Sequence, residues 1–212
     1  KTLSNWVCSV GDLLQDVIDI MHQELLNSSY VCSDETPLTV LNIDKGQPYM
    51  WVHMSGERSN RSVIYDYQPG RSGSYVEDFL SDFEGYHQSD GYSGYNKLHR
   101  KETVTYVGCM AHARRKFHEI VVSVDKDGVA KELLTMINKL YGIEREVQMR
   151  RLKPDIIQTY RHKHALPILT KLKKRLIYYQ DKVLGGGPLA AAIHYALNQW
   201  DGLTAYLKDG RL

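Results

Sequence analysis

The spacing of apolar residues changes near residue 110, and this change limits the fold more than any other feature of the sequence. Between residues 30 and 67, apolar residues lie in short extended runs that turn-forming residues separate. The runs are Tyr30 to Ser33, Leu38 to Ile43, Tyr49 to Met54 and Val63 to Tyr67. Beyond residue 110, apolar residues recur at three- and four-residue steps, which is typical of amphipathic helices. This order predicts an α/β protein that begins with a three-stranded antiparallel meander.

The segments around the meander extend this prediction. A helix is predicted before the sheet, because apolar residues recur at helical spacing from Leu13 to Leu25. After the meander come an amphipathic stretch at Tyr75 to Phe83, an extended piece at Tyr86 to Ser89, a short helix around Tyr92 to Leu98 and a strand at Thr103 to Val107. The order of strands, helix, strand, helix and strand occurs in many α/β domains.

Two aspartates lie where a predicted strand gives way to a turn. They stand in the strings Ser33-Asp34-Glu35-Thr36-Pro37 and Ser89-Asp90-Gly91-Tyr92-Ser93-Gly94-Tyr95-Asn96. Carboxylates at strand ends can hold magnesium, which prefers oxygen ligands. The alternative is that Asp34 and Asp90 only cap or open their turns. Glu35 is another candidate ligand, but alternation along a strand sends its side chain to the face opposite Asp34.

The two strings are the first of several blocks that resemble the central region of insertion sequence 66 family transposases. The later blocks are Tyr106 to Phe117, Ala196 to Trp200 and Asp209 to Leu212, and all occur in the family's order over nearly the whole chain. The resemblance implies a ribonuclease H-like fold with an Asp, Asp, Glu triad. Asp34 is then the first acid and Asp90 the second. The family's glutamate follows the last block, so the third acid is expected outside this chain.

The resemblance also implies an activity and its partners. Such transposases cleave and transfer DNA strands at phosphodiester bonds, with Mg²⁺ or Mn²⁺ as cofactor and two ions in the complete active site. The expected partners are transposon ends and target DNA, with a homo-oligomer on DNA as a further option. Because the third acid is missing, this chain is expected to be inactive alone. The family usually has an aromatic residue after Cys109, where this chain has Met110.

On this interpretation the chain divides into four segments. Residues 1–28 form a lead-in helix, and residues 29–109 form an incomplete ribonuclease H-like core with a mixed sheet. Residues 110–208 form a large α-helical insertion after the fifth strand, and residues 209–212 begin the return to the core. Within the insertion, three glycines and Pro188 interrupt the helical pattern before its last helix.

The net charge of +2 conceals two segments of opposite sign. Residues 1–109 contain 8 Lys+Arg and 15 Asp+Glu, a net charge of −7, whereas residues 110–212 contain 19 and 10, a net charge of +9. A basic segment suits contact with DNA phosphates. Two solvated faces of different charge explain the same numbers equally well.

Candidate DNA-contacting residues lie in this basic segment. They are His112, Arg115, Lys116, Lys173 and Lys174. Solvated helix faces are the alternative for all of them. Cys109 and His112 have a spacing seen in zinc sites, but structural zinc needs four ligands and no second pair stands out.

Several classes of protein are disfavoured by composition. Three scattered cysteines do not form a disulfide framework, and no run approaches 18 apolar residues. We therefore expect a cytoplasmic protein without a membrane partner. The family resemblance further implies association with the bacterial nucleoid. Two other functions stay open: a DNA-binding or interaction module with a degenerate nuclease core, and a nuclease that hydrolyses DNA without joining strands.

Overall fold

The computed structural model describes residues 2–41, 46–56, 61–123, 128–183 and 185–212. The chain forms two compact units, residues 1–106 and residues 107–212. The four-segment division given above stays a prediction. Within the described ranges, no helix is long and apolar enough to cross a membrane.

Five strands form one mixed sheet in the order β3-β2-β1-β4-β5. They are β1 (Tyr30–Pro37), β2 (Tyr49–Ser55), β3 (Val63–Gln68), β4 (Gly85–Ser89) and β5 (Val104–Gly108). Strands β1 to β3 form the predicted antiparallel meander, whereas β4 runs parallel to β1. The predicted α/β class with a mixed sheet is thus confirmed.

One predicted run is wrong as far as the structure describes it, because Leu38 to Leu41 do not form a strand. Strand β1 extends to Pro37, which pairs directly with Tyr49 of β2. The Leu38 amide donates to the Pro48 carbonyl at 2.8 Å, so this segment leaves the sheet as a loop. Its apolar residue Leu41 is 84% exposed. The rest of the run and most of the predicted turn at 44–46 lie outside the described residues.

The predicted lead-in helix is two helices, α1 (Leu3–Leu13) and α2 (Gln15–Leu26). The apolar stripe was expected to pack along its length, but only its end does so. Leu25 is fully buried and Met21 packs against the core, whereas Leu13 is 80% exposed. Helix α1 has no buried residue.

The core of the first unit lies between the sheet and short helices. These are α3 (Gly73–Phe79), a 3₁₀ turn (Ser93–Tyr95) and α4 (Asn96–His99). Large fully buried side chains fill this core, namely Trp51, Leu80, Phe83, Tyr95 and Leu98. Residues that follow β4 are therefore packed tightly against the sheet rather than left in solvent.

The second unit is helical, as the sequence predicted from Met110 onward. Its helices are α5 (Met110–Ser123), α6 (Val129–Met149), α7 (Pro154–Gln180), α8 (Pro188–Asn198) and α9 (Trp200–Thr204), with a 3₁₀ turn at Ala205–Leu207. Pro154 and Pro188 occupy first helical positions, where a missing N–H costs nothing. Helix α7 continues through Pro167. The last predicted helix is interrupted at Gln199.

Candidate active site at the ends of two parallel strands

Asp34 and Asp90 lie at the same edge of the sheet, on neighbouring parallel strands. The register pairs Val31 with His87 and Cys32 with Gln88. Continuing this register by two residues on each strand places Asp34 opposite Asp90, which directly follows β4. The predicted turn at Asp34 is wrong, because β1 continues to Pro37 and pairs Asp34 with Val52 of β2. The parallel pairing of β1 with β4 nevertheless brings two residues that are distant in sequence to the same level of the sheet.

Side chains on the two faces of the sheet differ in their burial. Ser33 and Glu35 of β1 are buried, whereas Asp34 between them is exposed and Asp90 is half-buried. Alternation along a strand explains this pattern, and it confirms that Glu35 faces away from Asp34. Both aspartates accept hydrogen bonds from nearby backbone amides. Asp90 Oδ1 accepts from the Tyr92 amide at 2.8 Å, and Asp34 Oδ1 accepts from the Glu35 amide at 3.0 Å.

Electrostatic effects show that the acids share one neighbourhood. Burial raises the pKa of the Tyr95 hydroxyl, and the charges of Glu35, Asp34 and Asp90 raise it further. The pKa of Glu35 is also raised, chiefly by burial, and the charge of Asp90 adds to this effect. The charges of Asp34 and Asp90 therefore both act on the Tyr95 hydroxyl.

Glu35 is the centre of a buried cluster beside the aspartates. Its side chain is 1% exposed. Arg71 donates to Glu35 Oε1 from Nε at 2.9 Å and from Nη2 at 2.6 Å. Tyr95 donates its hydroxyl to Glu35 Oε2 at 2.5 Å. No local sequence pattern indicates Arg71, because this residue joins the cluster only through the fold.

A row of histidines crosses the buried face beneath the aspartates. Ser33 Oγ lies 2.8 Å from His53 Nδ1 and 2.9 Å from His87 Nε2. His87 Nδ1 lies 2.8 Å from His99 Nε2. His53 also stacks on Phe79, with ring centroids 4.1 Å apart. These contacts link β2, β1, β4 and α4 at one level of the sheet.

The histidine row is neutral in the folded protein. Burial lowers the pKa of His53 to about 3 and that of His99 to about 4. Burial also lowers the pKa of His87 well below its ordinary value. Two ring nitrogens 2.8 Å apart share one proton, so His87 and His99 cannot both be charged. The row was not predicted from the sequence, although His53 and His87 occupy inward positions of predicted strands.

The other predicted residues lie in the second unit. On α5, Arg115 and Lys116 are exposed, and Lys116 Nζ lies 4.7 Å from the centre of the Tyr195 ring. His112 is half-buried, and its Nδ1 atom has no hydrogen-bond partner among the described residues. Cys109 is half-buried and free. The described part of the chain contains no group of three His, Cys, Asp or Glu that could hold a metal ion.

The basic residues of α7 differ in their surroundings. Lys174 is exposed, and Lys173 Nζ lies 5.6 Å from the centre of the Trp200 ring. The adjacent Arg175 donates to both oxygens of Glu132, at 2.6 Å each. Lys173 is exposed as well, so both predicted lysines of α7 are accessible to solvent.

The fold defines a class of protein, an α/β domain with a mixed five-stranded sheet, in which Asp34 and Asp90 lie on neighbouring parallel segments. The chain belongs to the IS66 family of transposases, whose family model matches residues 1–212. The family resemblance seen in the sequence is thereby confirmed.

Curated relatives from Sinorhizobium fredii (strain NBRC 101917 / NGR234) are similar over the same region. "Uncharacterized protein y4jD" is 31% identical over 100% of this chain, and "Uncharacterized protein y4qI" is 28% identical over 99%. These matches cover 43% and 41% of the relatives' own lengths, so the chain spans about two fifths of each. No solved structure matches the chain.

Proposed function

We propose that this chain is the central part of a DNA transposase whose core has a ribonuclease H-like fold. Asp34 and Asp90 are two of its metal ligands and catalytic acids. Membership of the IS66 family supports the proposal. The observation that carries it is the parallel register of β1 and β4, which brings the two carboxylates to one sheet edge.

The donor set fits a hard divalent cation. The Asp34 carboxylate is exposed, the Asp90 carboxylate is half-buried, and Asp90 Oδ1 accepts from the Tyr92 amide. Carboxylate oxygens are the ligands that Mg²⁺ and Mn²⁺ prefer. When bound, such ions supply activation of a water or 3′ hydroxyl and stabilisation of the leaving oxygen. The two aspartates would hold and orient the ions, and an acid that the family resemblance places beyond Leu212 would complete the ligand set.

Substitution of each aspartate tests the proposal. The assay measures strand cleavage and strand-transfer joints on transposon-end DNA, with a chain extended beyond Leu212. Asp34→Asn and Asp90→Asn should each lower cleavage at least about 100-fold, because each removes a ligand charge. Asp82→Asn is the matched control, since Asp82 is an exposed aspartate of the same unit. Full activity in either ligand variant would reject the assignment.

A second candidate function is a DNA-binding module with a degenerate nuclease core. The charge of +9 on residues 110–212 favours it. In that case DNA binding depends on exposed cations such as Arg115 and Lys174. Loss of one phosphate contact lowers the slope of log affinity against log salt by about one. An extended chain that does not cleave, and whose binding and salt slope survive both aspartate substitutions, would select this function.

Product analysis separates a transposase from a nuclease of the same fold. A transposase yields joints between transposon ends and target DNA, whereas a nuclease yields only cleaved strands. Joints formed by the extended chain would support the proposed function.

A further inference from the structure

We propose that Glu35, Arg71 and Tyr95 are positioning residues that fix Asp90 relative to Asp34. This inference rests on the proposed function, in which the two aspartates share a metal site. It concerns side chains that touch neither metal nor DNA in that proposal and that act through the loop after β4.

The loop that carries Asp90 is sharply turned and tightly packed. Gly91 has φ +87°, a left-handed conformation that favours glycine. A Cβ atom at Gly94 would lie 2.3 Å from the Tyr92 ring, and one at Gly73 would lie 2.2 Å from the Gly94 carbonyl oxygen. Substitution within this loop therefore meets either backbone strain or a clash.

Side chains tie the loop to β1 and to the segment before α3. Tyr95, at the end of the loop, donates to the Glu35 carboxylate. Tyr92 donates its hydroxyl to the Arg71 carbonyl at 2.6 Å, and the Arg71 guanidinium lies 3.9 Å from the centre of the Tyr92 ring. Arg71 in turn donates twice to Glu35. The loop is thus held at both tyrosines through one arginine and one carboxylate.

The position of Glu35 makes these ties relevant to the metal site. Glu35 directly follows Asp34 on β1, and Tyr95 lies in the loop that begins at Asp90. A bond between Glu35 and Tyr95 therefore joins the residue beside the first acid to the loop of the second. Because Glu35 is buried, its charge needs both donors to offset lost hydration. Loss of either donor should therefore make the distance between the Asp34 and Asp90 carboxylates more variable.

Tyr95→Phe is the most direct test, because it removes one oxygen atom and keeps the ring in the core. The probe is Mn²⁺, titrated into this chain and followed by the electron paramagnetic resonance signal of free Mn²⁺. Loss of residues that orient metal ligands weakens metal affinity about 10- to 100-fold in other proteins. We expect Tyr95→Phe to weaken Mn²⁺ binding about 10-fold, and Arg71→Lys to do the same because lysine cannot reproduce the two-bond contact.

The chain contains a matched control cluster in the second unit. There, Glu132 accepts two bonds from Arg175 and one from the Tyr179 hydroxyl at 2.7 Å. Tyr179→Phe makes the same chemical change far from any proposed ligand in sequence. It should leave Mn²⁺ affinity unchanged.

A kinetic readout separates positioning from a role in stability. In the chain extended beyond Leu212, Tyr95→Phe should raise the Mn²⁺ concentration needed for half-maximal cleavage about 10-fold and recover most of the rate at saturating Mn²⁺. A purely structural role would lower the melting temperature without this shift. Unchanged Mn²⁺ affinity in folded Tyr95→Phe and Arg71→Lys would overturn the inference.

Asp34→Asn and Asp90→Asn are measured in parallel. If they weaken Mn²⁺ binding and the cluster variants do not, the positioning role fails while the metal site stands. If neither aspartate variant changes binding, the proposed metal site itself fails.

Discussion

Replacing His53 with phenylalanine should make the first unit less sensitive to acid. His53 is fully buried, and burial lowers its pKa from 6.5 to about 3. Between these values the unfolded chain binds a proton that the folded protein does not. The contribution of neutral His53 to the free energy of unfolding is therefore complete above pH 6.5 and is lost as the pH falls towards 3. One such group lowers the free energy of unfolding by about 2 kcal/mol when the pH falls from 7.5 to 5.0.

At neutral pH the same substitution should have a small net effect. Phenylalanine loses the contact with Ser33, which is worth about 1 kcal/mol. It also removes His53 Nε2, a buried nitrogen without a hydrogen-bond partner among the described residues, whose burial costs about 1–3 kcal/mol. The aromatic stacking on Phe79 is kept. The stability at pH 7.5 should therefore change by less than about 2 kcal/mol.

Urea titrations followed by fluorine NMR can measure this difference. The chain has three tryptophans, and Trp51 is fully buried in the first unit. With 5-fluorotryptophan labelling, the Trp51 signal reports the unfolding of that unit alone. Wild type should lose about 2 kcal/mol more than His53→Phe between pH 7.5 and pH 5.0. Substitution of the exposed His118 in the second unit is the control. Equal losses in wild type and His53→Phe would refute the reasoning.

Further predictions concern the second unit. Arg161 is 3% exposed and donates to the Glu144 carboxylate, to the carbonyls of Tyr206 and Asp209 and to a Leu212 backbone oxygen, so Arg161→Met should destabilise the unit by about 3–5 kcal/mol. Substitution of Arg150, which is in an exposed ion pair, should cost less than about 1 kcal/mol. A Cβ atom at Gly210 would lie 1.8 Å from the Pro154 carbonyl oxygen, so Gly210→Ala should cost about 1–3 kcal/mol. Gly142→Ala, in an open position of α6, should instead stabilise by about 0.5–1 kcal/mol. Thermal unfolding followed at Trp200 tests all four, and a stabilised Gly210→Ala would contradict the packing argument.

Strand positions were predictable where alternation and turn residues agreed. The strand that ends before Asp90 was predicted correctly, and the inward position of Glu35 follows from a period of two, but β1 continues past Asp34 to Pro37. The run from Leu38 failed because a short apolar run does not reveal whether another strand is available to pair with it. Pairing is decided by the whole sheet, and Pro37 already meets β2.

The supporting side chains could not be predicted from local sequence. Arg71 lies 36 residues from Glu35, and His87 lies 54 residues from Ser33. Such contacts depend on strand order and register, which the spacing of apolar residues leaves open. The parallel pairing of β1 with β4 creates both the meeting of the aspartates and the histidine row beneath them.

The exposure of α1 has a consequence for how this chain melts. An isolated helix of 11 residues is marginal in water, since few backbone bonds offset the cost of its first turn. Tertiary packing usually makes up the deficit, yet α1 buries no side chain. On warming, α1 should therefore lose its helical circular dichroism before the sheet does, and a protease should cut near Trp6 first.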